Sequence, residues 1–345
     1  MKRAGLYLMT ALLLLGCVEP TPVEETGDPI RFGISAMVQT VPVKGLNDDT
    51  PSQSSSFLFA GSQFGVYGSY LPPSESTPQL IFNKQAVTCQ EDNSQENWTY
   101  EPVRYWRKKG TYKFCAVYPA NATCEYGSGP ERLVIKYSMH DPLDHDLMAA
   151  KADITVDNSH PDRVPLEFNH ACAAVRFLFK NGVDESTTTY KLNSFELQYL
   201  QTIGVFIYDS NHEISISDWH PAFSRAASVF EWTAENDEQR ILIPATYEEY
   251  AEDHTQWYYV IPQEVKASGM FEPSVNFSVL VNDNPNPVYT TIPLVTDPVT
   301  TWQPGYLYTY CIRIQRSQVT ISLMVEPWDS YKVVFDDFIF FGNED

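Results

Sequence analysis

Tyr306-Leu-Tyr-Thr-Tyr-Cys-Ile-Arg-Ile314, then Gln315-Arg-Ser-Gln318, then Val319-Thr-Ile-Ser-Leu-Met-Val325 reads as one β-hairpin. Each arm alternates with a period of two and is filled with aromatic and β-branched residues, which suit a pleated, half-buried surface. The polar pair Arg316-Ser317 marks the turn. Working outward, similar runs recur at 64–70, 112–118, 133–137, 166–180, 195–208, 240–243, 257–261 and 275–281. In the second of these, Tyr112, Phe114, Ala116 and Tyr118 share a face. Aromatics reach 14% of residues and the 24 Pro punctuate short strands, a composition of β-sandwiches. No long helical period occurs, and 245–253 has room for one or two helical turns. The fold class is all-β.

The first strand begins at Ile30. Ile30, Phe32, Ile34, Ala36 and Val38 fall on one face, with Arg31, Gly33, Ser35 and Gln39 on the other and Met37 breaking the pattern. The polar stretch 45–56 that follows reads as an exposed loop. Residues 140–165 are rich in Asp, His, Asn and Pro and read as a second loop-rich break. A boundary near residue 160 divides the chain into an N-terminal sandwich, 30–160, and a C-terminal one, 161–345, as its length also suggests. The closing run 333–341 (VVFDDFIFF) is one more strand, apolar on both faces, unusual beside a free terminus.

The start of the chain carries a different signal. Lys2-Arg3 precede a short apolar run ending Leu14-Leu-Gly-Cys17, the layout of a secretory signal peptide over residues 1–16. The run is shorter than the roughly 20 residues a membrane span needs. The tetrapeptide resembles the lipobox of bacterial lipoproteins, which implies acylation of Cys17 and anchoring by lipid. Two or more acyl chains, palmitate among them, make such anchoring stable, because one chain holds only marginally. Residues 17–29, acidic and Pro-rich, read as a tether between lipid and fold.

Charge and motifs exclude several classes. The formal net charge is −21, and it grows more negative once Lys2 and Arg3 leave with the signal, which argues against nucleic acid as a partner. No nucleophile elbow, phosphate loop or dinucleotide fingerprint occurs, so no catalytic residue, cofactor or enzymatic activity is expected. Glu248-Glu249 and Asp336-Asp337 are adjacent pairs, which in a strand would point to opposite faces. The cluster His140-Asp141 to Asp144-His145-Asp146 holds oxygen and nitrogen ligands, but without an HExxH or EF-hand spacing it reads as a solvated loop, and no metal is expected. Beyond Cys17 five Cys remain. Cys115 and Cys124 are spaced to close a hairpin, and no CxxC site occurs.

Several segments, in order, carry a resemblance. They are Phe64-Gly-Val-Tyr67, then Tyr105-Trp-Arg-Lys-Lys-Gly-Thr-Tyr-Lys-Phe-Cys-Ala-Val-Tyr-Pro119, then Asp146-Leu-Met-Ala-Ala150. Leu166, Phe168, His170, Ala173, Val175 and Phe177 follow, then Trp302-Gln-Pro-Gly-Tyr306 running into the hairpin, then Val325-Glu-Pro-Trp328. Together with the strand at Ile30 this set resembles the fimbrillin family, the pilin and accessory subunits of Bacteroidales type V pili. The resemblance implies two tandem transthyretin-like Greek-key β-sandwich domains in a lipoprotein precursor sent to the outer membrane and cell surface. It also implies a structural role in a fimbria, stalk, tip or anchor, with adhesion to host or bacterial surfaces and other pilus subunits as partners. In the family's stalk subunits a protease cuts beyond the first strand, and a neighbour's terminal strand fills the groove. Lys44 stands where the family commonly has Arg, and is the processing position expected here. Val333, Phe335, Ile339 and Phe341 are the expected donor-strand residues. The alternative is a surface lipoprotein that binds glycans through exposed aromatics.

Overall fold

The computed structural model describes residues 25–34, 60–91, 96–139, 146–183, 188–209, 213–222, 225–254, 256–266, 271–282, 284–316 and 318–328. Strands dominate, as the alternation predicts, and one α-helix, Tyr247–His254, is present among the described residues. The helix falls where 245–253 left room for it. Thr246 caps it, its Oγ1 accepting from Glu249 N–H at 3.2 Å, and Tyr250 buries its ring against Phe179.

A six-stranded antiparallel sheet organises the first half. Its order is Asn169–His170, Met148–Val156, Gly110–Tyr118, Gln63–Leu71, Gln79–Cys89 and Trp98–Thr99. Period-two alternation decides where its side chains go. Tyr112, Phe114, Ala116 and Tyr118 enter one core with Phe64, Val66 and Phe82. Cys115 and Val117, from the same strand, enter a second core with Leu133, Ile135 and Phe206. At this strand the sheet is covered on both faces, which explains why Phe114 to Tyr118 is continuously apolar and buried.

Met148–Val156 corrects the sequence reading, since it lies within the stretch taken as loop. It pairs with Gly110–Tyr118 along its whole length, from Met148↔Tyr118 to Val156↔Gly110. The inward positions Met148, Ala150, Ala152, Ile154 and Val156 do alternate, but two are alanines, which carry too little apolar contrast to stand out. Gly110 is required where it sits. Its φ is +134°, and a Cβ there would lie 2.6 Å from the carbonyl oxygen of Leu71.

The second half is a sandwich. One sheet has the order Tyr258–Val260, Ala173–Asn181, Tyr306–Ile314 and Val319–Pro327, with the middle two strands parallel. The predicted hairpin is present, registered from Tyr306↔Pro327 to Ile314↔Val319. The facing sheet runs Val229–Thr233, Tyr190–Gln198, Ser274–Val281 and Val288–Pro293. Phe177 meets Phe195 across the gap at 5.1 Å between ring centroids and stacks on Tyr310 at 5.2 Å. The run 195–208 is two strands, Tyr190–Gln198 and Ile203–Asp209, and 166–180 is likewise divided.

Strand pairing crosses residue 160 three times, Asn169–His170 against Met148–Val156 being the first. Val164–Leu166 lies parallel to Phe32–Ile34. Arg132–Ser138 pairs with Ile203–Asp209, from Ile203↔Ser138 to Asp209↔Arg132, in a sheet shared by the two halves. Cys115 and Cys124 are free thiols, as are Cys89, Cys172 and Cys311.

Candidate assembly site

The N-terminal strand enters the molecule through short backbone ladders and a deep side-chain seat. Glu25–Pro29 pairs with Tyr105–Arg107 at Glu25↔Arg107 and Pro29↔Tyr105. Ile30 N–H then donates to Arg104 C=O at 2.8 Å, and Ile30 C=O accepts from the Tyr100 hydroxyl at 2.7 Å. Arg31 C=O accepts from Val164 N–H at 2.7 Å, after which Phe32–Ile34 runs beside Val164–Leu166. Alternation turns Ile30, Phe32 and Ile34 inward, at 1%, 0% and 3% exposure, and leaves Arg31 in solvent.

Phe32 is the centre of that seat. Its ring meets Phe82 at 5.5 Å, Tyr100 at 5.6 Å, Phe114 at 5.8 Å and Phe64 at 6.0 Å, all edge-on. Edge-to-face geometry sets the positive ring edge against the negative face and adds to simple burial. The strand is therefore held more by three side chains than by its few backbone bonds. Withdrawing it would leave an apolar slot and unpaired backbone groups, the two things an incoming strand can satisfy.

A second constellation ties the halves together. The Asp146 carboxylate pairs with His170 Nδ1 in a buried contact. The His170 ring stacks on Trp328 at 3.9 Å between centroids, and Trp328 stacks in turn on Tyr259 at 5.6 Å. Burial pushes the Asp146 carboxyl above its ordinary pKa, and the charge and hydrogen bond of His170 pull against that. Backbone bonds fix the same corner. Gly305 N–H donates to Cys172 C=O and Trp328 N–H donates to Gly305 C=O, each at 2.9 Å. Four of the motifs that carried the resemblance meet here: Asp146, His170, Gly305 and Trp328. Tyr259 completes the stack, and sequence reasoning missed it, because one Tyr in a short strand carries no signal of its partner.

Gly305 adopts φ +72°, yet a Cβ there would meet nothing closer than the His170 carbonyl oxygen at 3.8 Å. Gly305→Ala therefore faces backbone strain without a clash, and is expected to lower stability by about 1 kcal/mol. A urea midpoint unchanged from wild type would contradict that account.

The remaining expected site residues, Cys17, Lys44, Val333, Phe335, Ile339 and Phe341, lie outside the described residues, as do the loop 45–56 and the cluster 140–145. Among the described residues no group of three or more His, Cys, Asp or Glu is placed to hold a metal ion.

The chain matches the family model described as fimbrillin-like over residues 53–328. A crystal structure of a candidate cell adhesion protein from Bacteroides ovatus is similar with a TM-score of 0.53 and 14% identity, covering 88% of this chain and 99% of that one. One from Bacteroides uniformis gives 0.51 and 16% identity, with 87% and 99% covered. A fimbrial protein from Bacteroides vulgatus gives 0.51 and 14%, with 86% and 99% covered. At such identities the likeness establishes the fold alone. No curated protein matches the sequence.

Proposed function

The chain belongs to the fimbrillin-like family, and from that premise we propose that it is a structural, non-enzymatic subunit of a cell-surface fimbria. In this reading it is exported as a lipoprotein acylated at Cys17, held at the outer membrane, and joined to other pilus subunits by strand exchange. The observation that carries the reading is the seat of the N-terminal strand. Three fully buried side chains, Ile30, Phe32 and Ile34, are held by short ladders, and the expected cut at Lys44 follows them in sequence. A strand so held is separable from the remaining sheets once the chain is cut, because the six-stranded sheet closes its own ladder without it. The molecule is taken as two tandem sandwiches joined through the shared sheet of Arg132–Ser138 and Ile203–Asp209.

Gold labelling of whole cells tests the role. Label is expected along or at an end of surface filaments, and to co-purify with sheared filaments. In Cys17→Ser cells the protein is expected either to leave the membrane fraction or to stall as the unprocessed precursor, and the filament label to vanish. Label spread over the cell body with none on filaments would overturn the fimbrial role. A Ser variant that matures and fractionates with membranes as wild type does would remove the lipid from the account.

A further inference from the structure

A cleft of about 710 Å³ lies beside the N-terminal strand, lined by Gly27 and residues 29–31, by residues 96–101, Val103 and Tyr105, and by Gln90 and Arg163. That volume is within the range of small-ligand sites. Its backbone is largely spoken for. Ile30 N–H and C=O, Arg31 C=O, Asn97 C=O and Trp98 N–H are all engaged in hydrogen bonds. Strand addition needs a row of unpaired N–H and C=O groups, so the cleft is a poor template for an extended peptide. What it offers instead is side chains. Gln90, Thr99 and Glu101 are exposed polar groups, and Tyr105 and Val103 present apolar surface at 39% and 36% exposure. Planar polar groups beside an aromatic face suit a pyranose, which has hydroxyls at its rim and an apolar C–H face.

The charges differ in their state. Arg163 is held by Glu96 at 3.2 Å. Arg31 is exposed at the cleft wall and makes no side-chain hydrogen bond or ion pair among the described residues. A guanidinium presents a rigid fork that matches a carboxylate with two parallel bonds. The strongly acidic chain, at −21, repels extended polyanions, so one acidic sugar in an otherwise neutral glycan fits better than an acidic polymer.

We propose that this cleft is a saccharide-binding site whose Arg31 recognises the carboxylate of an acidic sugar, with Tyr105 against the ring and Gln90, Thr99 and Glu101 at its hydroxyls. Failure of the assembly reading leaves the site standing, whereas exchange of the first strand would take Arg31 out of it. It does require the N-terminal strand to be in place, since Arg31 belongs to that strand.

Titration of the full chain with 3′-sialyllactose, with lactose as the neutral match, tests it. A bond to a charged group is worth enough that the acidic sugar should bind about tenfold more tightly or better. Arg31→Gln, an exposed change that leaves the seat of Phe32 intact, is expected to bring the two affinities together without moving the urea midpoint. Tyr105→Ala is expected to weaken both. Equal affinities in the wild type, no binding of either sugar, or a preference that survives Arg31→Gln would overturn the proposal. So would a tetraglutamate peptide binding as well as sialyllactose.

Discussion

Cutting the chain after Lys44 and displacing its first strand is expected to turn a monomer into a ladder of oligomers on non-denaturing gels. The uncut chain should stay monomeric under the same conditions. Ile30, Phe32 and Ile34 are fully buried, and each is worth roughly 1.5–3 kcal/mol, so the strand does not leave unaided. Once it is gone, Phe64, Phe82, Tyr100 and Phe114 line an empty slot. The run 333–341, largely apolar in sequence, is the donor expected to fill it, through Val333, Phe335, Ile339 and Phe341. Removing residues 332–345 should therefore abolish the ladder while leaving the cut itself unaffected. Ladders that persist without the tail would end the donor role assigned to it, and a cut chain that stays monomeric would end strand exchange altogether.

Phe32→Ala is expected to destabilise the protein by about 3–5 kcal/mol, the usual cost of truncating a buried Phe to Ala. The ring is inaccessible and meets four aromatic neighbours, none of which can collapse into the space without leaving its own edge-on contacts. Urea unfolding should show the loss as a shifted midpoint with little change in slope. Early proteolysis near the N-terminal strand should accompany it. A loss below about 1 kcal/mol, the level of ordinary substitutions, would mean that Phe32 is not the anchor of the strand.

Much of the fold is legible in the sequence, because local alternation is a direct imprint of burial on a pleated chain. Ile30, Phe32 and Ile34 on one face, the clean hairpin 306–325 and the short helix after Pro244 all follow from residue order. The family resemblance was also legible, as an ordered series of short motifs. What those motifs do was not. Asp146, His170, Gly305 and Trp328 are spread over 183 positions of chain, and only folding brings the carboxylate to the imidazole and the imidazole to the indole. Met148–Val156 was hidden because alanines give little contrast between faces. The sharing of Arg132–Ser138 with Ile203–Asp209 was hidden because pairing partners far apart in sequence leave no trace in either strand. Residue order carries most of the strands, their inward faces and the kinship. Which edges meet, how Phe32 is seated and that Arg31 borders a cleft depend on contacts between distant segments rather than on the period of any one of them.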